Sequence, residues 1–345
     1  MMFFTDWEGP WITTDFALEI AKHYFNNTAF FERLSQFDDY LYYIERKEGY
    51  RAGDTLKLLA PFIIALRITS EELKDLAERT ARFVNSAEES MRILRKKYKA
   101  VVISTSYNQY LKKTTEMLGI RIAHGTELNI EKYEGLFNEY DERIARDLIE
   151  KISKLPEIKI DFKERKTQSV GSVKFLENLF FGESRNEFER KIREVMEDIE
   201  VVGGIKKLEI LRSYRTDRVI AIGDSISDFE MLSYAKEKGI AVSFNGNEYS
   251  LKNSDLAIIS DSTFSEAGII DAYLSHGIEG VEEFVHHHSR GDIEGMKELV
   301  EEDIVEGIVK SNTEYIWVSE LNLDHVIEMS KEMRWKVRGE AGKLG

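Results

Sequence analysis

The chain has 345 residues, a formal charge of −15 and no cysteine. Those values exclude disulfides and thiolate metal ligands, and they argue against nucleic acid as a partner, because phosphate backbones are met by basic surfaces. The 42% share of hydrophobic residues suits one large globular core or two domains. No stretch reaches the roughly 18–20 apolar residues that span a bilayer; the longest candidate, 56–68, carries Lys57. The N-terminus lacks the basic region and long apolar core of a signal peptide, so no membrane partner and a cytoplasmic location are expected. Abundant Lys, Glu and Arg without cysteine also fit a thermophile. A small anionic substrate stays compatible with the acidic balance, since a bound cation and one lysine can reverse the local potential.

In chain order, Met2-Phe3-Phe4-Thr5 reads as a strand that runs into Asp6-Trp7-Glu8-Gly9. From there to Ser104 the sequence reads as helical, with runs over 16–25 and 30–44 and breaks at Gly49, Tyr50 and Gly53. Thr69-Ser70-Glu71-Glu72 is a capping-box signature before Leu73, Leu76, Ala77 and Thr80. Ala100-Val101-Val102-Ile103 reads as a buried strand, followed by a polar turn, a helix over 107–118 and Gly119 as its C-cap. A second insertion over 133–202 carries helices near 142–154 and 186–199, with Ser184 and Glu187 predicting a capping box. A helix over 205–213, the strand run Val219-Ile220-Ala221-Ile222, a helix over 226–235 and short strands at 240–242 and 256–259 follow. The acidic stretch from 280 onward reads as helical. Strands alternating with helices imply a parallel sheet covered on both faces, an α/β fold.

The chemistry gathers at strand ends. Val219-Ile220-Ala221-Ile222-Gly223-Asp224 delivers an aspartate at the carboxyl end of a buried strand, with Asp228 four residues on. Ligands of open α/β sheets bind at that edge. One strand-end aspartate can equally cap the next helix. Two strand ends with carboxylates, at Asp6 and Asp224, suit a hard cation such as Mg2+. Trp7 and Trp11 read as packing residues. His286-His287-His288 reads as a solvated patch, because consecutive helical residues point in different directions.

Four pieces, in order, resemble the haloacid dehalogenase (HAD) superfamily of phosphohydrolases. Asp6-Trp7-Glu8-Gly9 resembles its first motif, with Glu8 in place of the commoner aspartate. Val101-Val102-Ile103-Ser104 resembles the second, and Lys207 in Lys207-Leu208-Glu209-Ile210-Leu211 the third, with Lys206 beside it as a rival. Gly223-Asp224 with Asp228 resembles the fourth. The stretch from Asp6 through Ala21, the turn and helix from Ser104 to Gly119, the Lys207 helix and the stretch from Ser243 to Ile259 are similar to the phosphoserine phosphatase branch in particular. The tail and insertions resemble uncharacterised archaeal proteins related to the R subunit of energy-converting hydrogenase A.

The resemblance implies a Rossmann-like catalytic core over 1–15, 98–132 and 203–279, a helical cap over 16–97, a second α/β or helical insertion over 133–202 and a helical C-terminal extension over 280–345. It implies Mg2+ held by Asp6, Asp224, the Glu8 backbone carbonyl and Asp228 as ligand or neighbour. Asp6 is expected to attack phosphorus, Glu8 to act as general acid and base, and Lys207 to neutralise charge on Asp6 and the phosphoryl group. Ser104 and Thr105 are expected to bind phosphoryl oxygens, and Asp15 to stand near the substrate from the cap. Ser104-Thr105-Ser106 departs from the branch's Ser-Gly-Gly, and Ser227 stands where the branch often has Asn. Leu59 or a neighbour falls where an arginine would hold a substrate carboxylate. The expected function is removal of phosphate from a small phosphorylated metabolite. The contrasting expectation is a non-catalytic or weakly active subunit that binds a protein partner through its insertions or C-terminal extension.

Overall fold

The apolar runs become the strands of one sheet in the computed structural model, which describes residues 1–51, 53–161, 164–184 and 186–343. The strands are β1 (Met2–Thr5), β2 (Lys99–Tyr107), β3 (Ile122–Thr126), β4 (Ile160–Asp161), β5 (Lys166–Thr167), β6 (Val219–Gly223), β7 (Gly239–Phe244), β8 (Leu256–Ser260) and β9 (Thr313–Trp317). The main sheet has the order β3-β2-β1-β6-β7-β8-β9, while β4 and β5 form a separate antiparallel pair. Every residue of β6 and β8 is buried. That is the burial expected of parallel strands covered by helices on both faces, and it explains why they read as unbroken apolar runs.

Register sets the site. Thr5 pairs with Val102 on one side and with Ile222 on the other. The residues just beyond these pairs, Asp6, Ser104 and Asp224, therefore emerge together at one sheet edge. This edge is where β1 lies between β2 and β6, the point at which strand order reverses.

The segment between β1 and β2 is helical, as expected, with helices Phe16–His23, Thr28–Asp39, Thr55–Ala65, Ser70–Thr80 and Ala87–Leu94 and a π-helical stretch at Tyr40–Glu45. The capping box forms as read: Thr69 Oγ1 accepts from the Glu72 amide at 3.2 Å, and a Glu72 carboxylate oxygen accepts from the Thr69 amide at 2.8 Å. The second capping box does not form. Asn186, not Ser184, caps the helix Glu187–Asp198 by accepting from the Glu189 amide; Ser184 instead accepts from Arg193 at 2.7 Å. The two insertions pack against each other. Phe180, from the second, lies 6.2 Å from Phe37 and 6.4 Å from Phe62 of the first, and Arg33 donates to the Leu155 carbonyl at 2.8 Å.

The stretch from 280 onward is not wholly helical. β9 closes the sheet as an antiparallel edge strand, with Leu256 opposite Trp317 and Ser260 opposite Thr313. A five-residue strand with polar residues at one end carries too little alternation to be read alone. The helix Leu323–Arg338 then folds back over β8, burying Val326 against Leu251 and Ala257.

Candidate active site

Each strand end contributes a side chain through a short local device. Asp6 follows β1, and its amide donates to the Ile222 carbonyl at 2.9 Å, which prolongs the β1–β6 ladder into the loop. Its Oδ1 accepts from the Trp7 amide at 2.7 Å. Gly9, at φ +110°, lets the same loop turn beneath Asp224: a Cβ there would lie 2.2 Å from Asp224 Oδ2. Only glycine fits this position, both by backbone conformation and by space.

Lys207, on the helix Ile205–Ser213, is fully buried and donates to Asp6 Oδ2 at 2.9 Å and Asp228 Oδ1 at 2.7 Å. Its rival Lys206 points outward to Glu200 and Glu209. Burial alone would lower the Lys207 ammonium, but the Asp228 and Asp6 carboxylates hold it above its ordinary value. The other Asp228 oxygen accepts from the amides of Asp224 and Ser225, both at 3.1 Å. Asp228 thus clamps the loop after β6 onto Lys207.

Carboxylate oxygens of Asp6, Asp224 and Asp228 lie within 4.8 Å of one another, all buried. This oxygen-only donor set, with Gly9 leaving room for Asp224, fits a hard divalent cation. Burial, and then the Asp228 charge, push the Asp6 carboxyl up to about 7 against the pull of Lys207.

Glu8 reaches across to β2 and the helix Phe16–His23. Its Oε1 accepts from Ser106 Oγ at 2.6 Å and from the Phe16 amide at 3.1 Å. Burial, followed by the charge of Asp15, raises it to about 8, which suits a group that donates a proton near neutrality. Asp15 caps the helix Phe16–His23 by accepting from the Leu18 amide at 2.9 Å and lines the same cavity.

Ser104, Thr105 and Ser106 line that cavity, of about 380 Å³, together with Asp6, Glu8 and Asp224. β2 continues through all three residues, so the polar turn expected there is extended strand, and the helix begins only at Asn108. Ser227 shares a hydroxyl contact with Thr105 at 3.3 Å. Trp7 and Trp11 are packing residues, with their indole nitrogens donating to Thr114 and Thr5. Leu59 is buried in the hydrophobic core. His287 pairs with Asp292, away from the site.

The haloacid dehalogenase-like hydrolase family matches residues 65–272, more than half of the chain. A solved structure from Archaeoglobus fulgidus, gene product AF1437, is 36% identical, spans 100% of this chain and 98% of its own, and superposes with a TM-score of 0.81. The chain belongs to the haloacid dehalogenase superfamily. This membership supports hydrolase activity in general. A phosphoserine phosphatase solved as a phospho-aspartyl intermediate analogue is more distantly similar, at 13% identity over 74% of this chain and 91% of its own, with a TM-score of 0.40. None of the curated proteins matches the chain in sequence. No helix among the described residues of this HAD protein is long and apolar enough to cross a membrane.

Two residues of the site were missed by reading the sequence. Arg334 and Arg338, on the C-terminal helix, place Nη1 atoms 2.6 and 3.1 Å from Asp224 Oδ2 and line the cavity beside Asp6. Their signal was the spacing Val326, Ser330, Arg334 and Arg338, four residues apart on one helical face. That face has no visible destination until the helix docks.

Proposed function

We propose that this HAD hydrolase is a Mg2+-dependent phosphatase of small phosphorylated metabolites, working through an aspartyl-phosphate on Asp6. The observation that carries the reading is the fully buried Lys207 ammonium between Asp6 and Asp228, with Asp224 completing a cluster of carboxylates within 4.8 Å. A buried cation shared by two carboxylates is costly to assemble, and a phosphoryl-transfer centre explains it. We assign residues 16–97 to a cap that closes over this centre.

In the first step an Asp6 oxygen attacks phosphorus and the bond to the ester oxygen breaks, with the leaving oxygen taking the Glu8 proton. In the second, Glu8 takes a proton from water, whose oxygen attacks phosphorus; inorganic phosphate leaves and the Asp6 carboxylate is restored. Lys207 offsets charge on Asp6 and on the transferring group, and hydroxyls of Ser104 and Thr105 orient its oxygens. Asp228 keeps Lys207 and the Asp224 loop in place. A divalent cation held by Asp6, Asp224 and the Glu8 carbonyl would supply the remaining screening of anionic attack on an anionic ester.

Purified protein assayed against a panel of phosphorylated metabolites, with and without Mg2+, tests the reading. Metal-dependent phosphate release that falls by roughly three orders of magnitude in Asp6→Asn is expected, since that change removes the nucleophile. Release no faster than the variant's on any compound would overturn the phosphatase and favour a subunit that binds a protein partner.

A further inference from the structure

We infer that Arg334 and Arg338 restrict Asp224 to one ligating oxygen, so that the C-terminal helix makes the cation site select Mg2+ over Ca2+. This rests on the cation site of the reading above and not on its phosphoryl chemistry.

The helix Leu323–Arg338 is seated by contacts along one face. Val326 packs on Leu251 and Ala257, Ser330 Oγ donates to the Gly246 carbonyl at 2.6 Å, and Arg334 and Arg338 follow at the same four-residue spacing. The docked Val326 and Ser330 therefore decide where the two guanidiniums lie. Their side chains are buried, with 6% and 5% of their surface exposed. They reach Asp224 as cations fixed by the fold rather than as mobile surface groups.

Both arginines load the same atom. Arg334 Nη1 donates to Asp224 Oδ2 at 2.6 Å and to the Asp224 carbonyl at 3.1 Å, gripping the residue by side chain and backbone at once. Arg338 Nη1 donates to the same Oδ2 at 3.1 Å. A carboxylate oxygen has two lone pairs, so Oδ2 is fully engaged. Oδ1 accepts from no donor among the described residues. The Gly9 backbone closes one side of the carboxylate, where a Cβ would lie 2.2 Å from Oδ2 and 2.8 Å from Oδ1. Asp224 is thus held with one oxygen occupied and the other open.

The neighbouring acids carry different loads. Each Asp6 oxygen accepts one donor, Oδ1 from the Trp7 amide and Oδ2 from Lys207, which leaves a lone pair on each. Asp228 Oδ2 already accepts from two backbone amides. Asp224 and Asp228 can therefore each give one oxygen at most.

Ligand number separates the two cations. Ca2+ takes roughly six to eight oxygens and draws on bidentate carboxylates, whereas Mg2+ takes an octahedral set and keeps several waters. A carboxylate confined to one oxygen suits Mg2+ and leaves Ca2+ short of ligands. The guanidiniums also repel either ion, and to a similar degree, because both ions carry the same charge. Their charge weakens both cations alike; the occupied oxygen decides between them.

Calorimetric titration of the unsubstituted protein, Arg338→Met and Arg334→Met, with Mg2+ and separately with Ca2+, tests the inference. The unsubstituted protein is expected to bind Mg2+ more tightly than Ca2+. Freeing a lone pair on Oδ2 should move the affinity ratio toward Ca2+ on the order of 10-fold in either variant. General damage to the site would weaken both ions and leave the ratio where it was. If neither variant folds by thermal melting, the preference of the unsubstituted protein is the readout. An unchanged ratio in a folded variant, or an unsubstituted protein that prefers Ca2+, overturns the inference and leaves the cation site standing. Binding of neither ion overturns the inference and the cation site together. No ester is present in these titrations, so a shifted ratio supports the inference even if the protein hydrolyses no phosphate ester and the phosphatase reading fails.

Discussion

Lys207 and the Arg334–Arg338 pair bring positive charge to the same strand-end carboxylates from two very different parts of the chain. Lys207 comes from a helix that leads directly into β6, and it bridges Asp6 and Asp228. The arginines come from a helix more than 100 residues farther on, and both converge on Asp224. The first cation is built into the sheet's own connections. The second arrives only when β9 and the last helix have docked. A site assembled this way depends on the tail as much as on the core.

Substituting Lys207 by Met should have the largest effect on the core side. It leaves two buried carboxylates facing each other without their cation, and breaking such a pair costs about 3–5 kcal/mol. Urea unfolding should show the loss; a change under about 1 kcal/mol would mean that Lys207 is not the central cation. On the tail side, Arg334→Met removes one of two guanidiniums on Asp224 and should cost somewhat less, about 2–3 kcal/mol. If it costs nothing, the tail is an appendage rather than part of the site.

Gly9→Ala sharpens the comparison at the point where both cations meet. A Cβ at φ +110° would lie 2.2 Å from Asp224 Oδ2, so Asp224 must move away from Asp6. About 1–3 kcal/mol of stability should go with it, and calorimetry with Mg2+ alone should show weakened binding.

A buried carboxylate without a cation should behave in the opposite sense. Asp38, on the helix Thr28–Asp39, has its Oδ1 buried without a partner among the described residues, and burial pushes its pKa from 3.8 up to about 8. Folding therefore disfavours its ionised form. Stability from this group is intact at low pH, declines as pH rises above about 4, and is fully lost above about 8. Asp38→Asn should flatten that decline, making the variant more stable than the parent at pH 9 and little different at pH 4. Urea midpoints at the two pH values check it; a variant less stable at pH 9 would show that Asp38 is paired after all.

Much of the core site was legible because its signals are local. A buried apolar run followed by a carboxylate marks a strand end, and that pattern points to Asp6 and Asp224. Lys207 could be named but not separated from Lys206, since adjacent helical residues differ only in direction. The structure separates them by turning one inward and the other toward Glu200. Ser106 stood in the recognised polar triplet, yet its bond to Glu8 joins residues 98 positions apart.

By itself, the sequence determined the alternation of strands and helices, the superfamily motifs and the edge of the sheet at which chemistry collects, because these depend on residues close together in the chain. Tertiary structure decided which lysine is buried, that the two insertions pack as one body, and that the tail returns to the site. The reason is physical: the register of β9 on β8 and the docking of Val326 and Ser330 carry Arg334 and Arg338 to Asp224, and no local pattern in the tail encodes the surface it will meet.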